Sequence, residues 1–90
     1  MDREQRILQY LAEALELLQA GHKEHLPILG RLDNAMIAAS LCRWKEIRDA
    51  IGEVEEHFLM GRYKAAERTL VGAVERAELQ LSQRAKRSST

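Results

Sequence analysis

Cysteine occurs once, at Cys42, proline once, at Pro27, and glycine only five times. A lone thiol excludes an internal disulfide. Valine and threonine are thin as well, confined to Val54, Val71, Val74, Thr69 and Thr90, and no stretch alternates with period two for long enough to form a strand. Long apolar runs are missing. Charges interrupt every segment short of the ~20 apolar residues that cross a bilayer, which argues against membrane spanning. The start of the chain, Asp2, Arg3, Glu4 and Arg6, is charged where a secretory signal would be apolar, so the expected location is cytoplasmic.

What is present favours helix. Leucine, alanine, glutamate and arginine recur throughout, and 46% apolar with 31% charged residues lies in the range of folded domains. The fold class expected is all-α. A chain of 90 residues makes one domain that buries roughly 60 to 65% of its unfolded surface, and a second copy or a partner would relieve that shortage of burial.

Between positions 37 and 58 large apolar residues fall in two interleaved rows, Ile37, Trp44, Ile51 and Phe58 with Ile47 and Val54, the spacing of a helical packing seam. The predicted architecture is an antiparallel three-helix bundle over residues 1–83, with a basic, disordered tail at 84–90. Its first helix spans about 2–20, capped by Asp2 and stopped by Gly21, with Leu8, Leu11, Leu15 and Leu18 as the inward seam and Ile7, Ala14 and Leu17 widening it. A connection at 21–27 follows, then a short extra turn begun at Pro27 and carrying Ile28, Leu29 and Leu32. A long central helix is expected from an Asp33 cap to Met60, with Gly52 as its weak point. The third helix, about 63–83, turns Ala66, Leu70, Ala73, Val74, Ala77 and Leu81 inward against Trp44, Ile51, Val54 and Phe58. The net charge of zero hides three basic and six acidic groups at 33–60 against seven basic and three acidic at 61–90. That asymmetry favours pairing of the last two helices, although an exposed ion pair contributes only about 0 to 1 kcal/mol.

Gly61, Arg62, Tyr63, Lys64, Ala65 and Ala66, followed by Leu70 and Ala73, resemble the turn and second helix of a tetratricopeptide unit. The resemblance covers about 25 residues in one copy, and such units need roughly three copies to bury a continuous core. It implies a similar hairpin, with Gly61 left-handed and Tyr63 plugging the open end, and it suggests peptide or protein binding.

Little of the chain carries chemistry. His22, His25, Cys42 and His57 are the only soft metal ligands, and their spacing matches no zinc arrangement; no metal or cofactor is expected. Cys42 sits beside Leu41, Ala39 and Ala38, an apolar setting that raises a thiol pKa and suits core filling better than nucleophilic attack. No phosphate cradle, nucleophile elbow or paired-carboxylate cleft is visible, so the protein is expected not to be an enzyme.

Residues 35–42 carry no charge, more apolar surface than one amphipathic face hides. The expected function is therefore protein–protein interaction, as an adaptor, chaperone-like protein or inhibitor, with a protein partner or a homodimer through Met36, Ala38, Leu41, Cys42, Leu59 and Met60. The alternative is nucleic-acid binding through Arg62, Lys64, Arg68, Arg76, Arg84, Lys86 and Arg87, with Tyr63 stacking on a base.

Overall fold

In each of four segments one row of side chains is sealed from solvent: Ile7, Leu11, Ala14 and Leu18; Ile28, Leu32, Ala35 and Ala39; Ile47, Ile51, Val54 and Phe58; Ala66, Leu70, Ala73 and Ala77. Every row steps by four, three and four residues, the spacing that keeps one stripe of an α-helix inward. The structure, a computed structural model describing residues 2–22 and 24–88, correspondingly has four helices: α1 (Arg3–Gln19), α2 (His25–Leu41), α3 (Lys45–Leu59) and α4 (Tyr63–Ser88). All described residues are helical or in turns and caps, and no strand occurs among them.

The helices form a ring. α1 packs on α2, α2 on α3, α3 on α4 and α4 on α1, while the backbones of the diagonal pairs stay apart among the described residues. Cross-helix pairs give the directions: Arg31 lies 3.6 Å from Glu13, His25 meets Phe58, Arg76 reaches Glu46 and Arg84 reaches Glu4. His25 with Phe58 and Glu4 with Arg84 join the first turn of one helix to the last turns of its neighbour, Arg31 with Glu13 and Arg76 with Glu46 fit the same order, and the bundle runs up, down, up, down, the arrangement that short connections impose.

Three reversals connect it, and all three have the same hydrogen bonds. His22 N–H donates to Leu17 O and Gly21 N–H to Leu18 O; Trp44 donates to Ala39 O and Arg43 to Ser40 O; Arg62 donates to His57 O and Gly61 to Phe58 O. This double closure is the Schellman motif, which requires a left-handed residue just past the cap. Gly21 (φ 85°) and Gly61 (φ 77°) supply it, and Arg43 supplies it at φ 61° without glycine's freedom. At the start of α1, Asp2 and Gln5 form a reciprocal capping box.

The expected three-helix bundle is thus corrected to four helices. The long helix at 33–60 is divided at Cys42, Arg43 and Trp44, not at Gly52, which lies inside α3. Asp33 is an interior residue of α2, and the turn expected after Pro27 is that helix's first part; Pro27, third in α2, falls where no intrahelical N–H is needed. The reversal also resets the heptad frame. Extrapolated from Leu32 and Ala39, the α2 frame reaches Glu46, two residues beyond Trp44, so Ile37 leaves the seam and points outward at 60% exposure. Trp44, Ile47, Ile51, Val54 and Phe58 remain buried. In α1 the inner row is Ile7, Leu11, Ala14 and Leu18, with Leu8 and Leu15 on its flank.

α4 continues beyond Gln83 to Ser88, because Arg84 is tied to α1: its guanidinium donates to Glu4 at 2.8 Å and to Asp2 at 2.9 Å. The disordered tail expected from 84 is therefore helical as far as the described residues extend; residues 89 and 90, and the Arg87 side chain, lie outside them. No helix among the described residues is long and apolar enough to cross a membrane.

Candidate functional site

Among the described residues the α2 backbone comes close only to α1 and α3, so its uncharged second half is enclosed on one side and bare on the other. Ala35, Ala38 and Ala39 are buried, and Met36 turns toward Gly52 on α3. Ile37 and Leu41, one turn apart, are each 60% exposed. They wall a shallow groove of about 190 Å³ between α1 and α2, together with Tyr10, Asn34, Arg3 and Arg6. Arg3, Arg6 and Tyr10 share a face of α1 at helical spacing. Neither arginine makes an ion pair among the described residues, whereas Arg31, Arg48, Arg76 and Arg84 do.

The six residues expected to bind a partner do not form one surface. Leu41 and half-buried Cys42 lie at the end of the bundle where α1 begins, whereas Leu59 and Met60, 55% and 66% exposed, lie at the opposite end, beside the α3–α4 reversal. Ala38 is core, and Met36 is half-buried. Ile37, Tyr10, Arg3 and Arg6 complete the groove and were missed, because the seam reading assigned Ile37 to the interior and nothing linked α1's outer face to α2. The sequence signal was the row Ile28, Leu32, Ala35, Ala39, which puts Ile37 on the outer side.

Burial pushes the Cys42 thiol up, and the Glu4 carboxylate adds to the effect; a thiol so placed is a poor nucleophile. His25 and His57 lie at the far end. His25 packs edge-on to Phe58 at 5.3 Å, Phe58 edge-on to Tyr63 at 5.6 Å, and the His57 Nδ1 accepts from Arg62 Nε at 3.0 Å. Among the described residues no three histidine, cysteine or carboxylate side chains converge on a metal position.

The basic residues of 62–87 are divided. Arg76 bonds Glu46, Arg84 holds Asp2 and Glu4, and Arg62 holds His57. Lys64 and Arg68 face solvent, and Lys86 is exposed. Opposite the α1–α2 groove, two adjoining hollows of about 360 and 300 Å³ run between α3 and α4 and share Glu46 and Arg76. The first is floored by Ala50, Gly72 and Ala73 and edged by Asp49 and Glu53; the second is walled by Ile47 and Leu79.

A carboxyl pair lies between α2 and α3. Burial first, then hydrogen bonding to Asp33 and that group's charge, push Glu55 up to about 7, and Glu55 Oε1 is buried without a partner of its own.

Fold and surface together define an up-and-down four-helix bundle with an apolar, basic-edged groove on one side. Compared with protein families, curated proteins and solved structures, the chain matches none.

Proposed function

We propose that the chain is a non-enzymatic protein–protein interaction module of the cytoplasm, adaptor-like in character, and that its binding surface is the α1–α2 groove. One observation carries this reading: Ile37 and Leu41 stand 60% exposed, one turn apart, beside two arginines that make no ion pair among the described residues. Large aliphatic side chains held out of the core in pairs and rimmed by polar groups are the ordinary composition of a binding surface. The tetratricopeptide-like hairpin around Gly61 is compatible with such a role. Nucleic-acid contact through residues 62–87 has less support, since Arg76 and Arg84 are already satisfied by carboxylates.

The test is a double substitution, Ile37→Glu with Leu41→Glu, compared with wild type by crosslinking of the pure chain and by affinity capture from cells. Loss of crosslinked or captured species by at least about tenfold, with the helical spectrum intact, supports the reading. Capture unaffected by both substitutions, or steeply salt-dependent binding to DNA or RNA, overturns it.

A further inference from the structure

The ring topology places the α1–α2 face and the α3–α4 face on opposite sides of the molecule, and the two faces differ in shape and in sign. The first presents projecting side chains, Ile37 and Leu41, with Arg3 and Arg6 at the edge. The second presents depressions larger than the shallow groove beside Ile37 and Leu41. Its larger hollow, about 360 Å³, is floored by Gly72 and Ala73, which have almost no side chain to fill it, and is lined by three carboxylates against one arginine; Glu46 is paired with Arg76 and Asp49 with Arg48, and Glu53 makes no ion pair among the described residues. Leu79, 58% exposed, borders the adjoining hollow.

Both faces lie toward the same end of the bundle. Leu41 and Arg3 belong to the last turn of α2 and the first of α1; Glu46 and Ile47 belong to the first turn of α3, directly after the Trp44 reversal. Two copies standing side by side in the same orientation therefore bring the ridge of one level with the upper hollow of the next.

We infer that the occupant of the α1–α2 face is the α3–α4 face of a second copy of this chain, so that copies associate heterologously, side by side. The inference rests on the interaction reading above and names its partner. Ridge enters hollow, and Arg3 and Arg6, level with the start of α3, come nearest Glu46 on a face whose lining carries more carboxylates than arginines. A two-fold contact of the α1–α2 face with itself is disfavoured, because it sets the same two arginines against each other. Area is sufficient: a standard interface covers about 800 Å² per partner, and one of four sides of a molecule exposing 5818 Å² offers more than that. A heterologous contact leaves one face open at each end, so association proceeds past the dimer unless a ring closes.

Sedimentation velocity with two variants decides the matter. Ile37→Glu with Leu41→Glu blocks one face, and Leu79→Lys with Gly72→Gln blocks the other; Arg3→Glu with Arg6→Glu replaces the first variant if it loses helicity, and Glu46→Lys with Leu79→Lys the second. Wild type is expected to grow beyond a monomer from micromolar to near-millimolar concentration, and to shrink as salt is raised. Each blocked variant alone is expected to remain monomeric, with association weakened at least about tenfold. Mixed, they are expected to form a 1:1 dimer and nothing larger, since each retains the face the other needs. A wild type that stays monomeric at every concentration overturns the inference, as does a variant blocked on the α3–α4 face that still self-associates. If wild type is monomeric but captures a foreign protein through Ile37 and Leu41, the interaction reading stands and only the second copy is lost. If it does neither, both are lost.

Discussion

The Trp44 amide donates to the Ala39 carbonyl at 2.9 Å, and around that bond the chain reverses between α2 and α3 through a left-handed Arg43 at φ 61°. A residue with a Cβ is strained in that conformation by roughly 1 to 2 kcal/mol, which glycine at the same place in the other two reversals avoids. The indole buries itself immediately afterwards, so the cost is met by packing.

Replacing Arg43 by glycine should therefore stabilise the protein. The expected gain is about 1 kcal/mol, less a few tenths for the added freedom of the unfolded chain, or several degrees in melting temperature for a domain of this size. Arg43→Val should lose a comparable amount, because a β-branched residue tolerates a positive φ poorly. Thermal melts of the three proteins test the assignment. If glycine and valine both leave the midpoint unchanged, the reversal is not where the structure puts it.

Gly52 is an interior helical residue, and a Cβ built on it would meet only the Met36 Cε, at 3.9 Å, an ordinary contact. Gly52→Ala should add about 1 kcal/mol from helix propensity alone. Chemical denaturation gives the value. A destabilised variant would mean that α2 and α3 approach more closely here than 3.9 Å implies.

Stability should fall as pH rises through neutrality because of Glu55. Its carboxyl, ordinarily near 4.5, is held up to about 7, so between those values the folded protein binds more protons than the unfolded chain. The contribution is fully present below about pH 4.5 and is lost as pH passes 7. With allowance for solvent screening of a half-exposed group, the loss is on the order of 1 kcal/mol. Glu55→Gln should remove that slope and be the more stable protein at pH 8. Parallel pH profiles for wild type and variant would contradict a Glu55 carboxyl raised by burial and by Asp33.

Phe58 joins three helices: it is 1% exposed and packs edge-on against His25 of α2 and Tyr63 of α4. Phe58→Ala should cost about 3 to 5 kcal/mol, a large share of the stability of a domain this small. Far-ultraviolet dichroism at a moderate denaturant concentration would register it as early unfolding. Phe58→Leu, which keeps most of the volume, should cost much less.

The sequence by itself determined the helical class, the Asp2 cap, the glycine reversals at 21 and 61, and the burial of Trp44, Ile51 and Phe58. These follow from composition, from glycine's left-handed freedom and from short-range periodicity, none of which needs a neighbour. Tertiary structure decided the number of helices, because the Schellman turn at Arg43 is made of backbone hydrogen bonds that leave no residue signature when glycine is absent. It also decided that Ile37 faces out, since a seam read through a break carries the wrong phase beyond it. The meeting of Asp33 with Glu55, the tethering of Arg84 to α1 and the opposed ridge and hollow are contacts between helices far apart in the chain, and only their packing brings them into register.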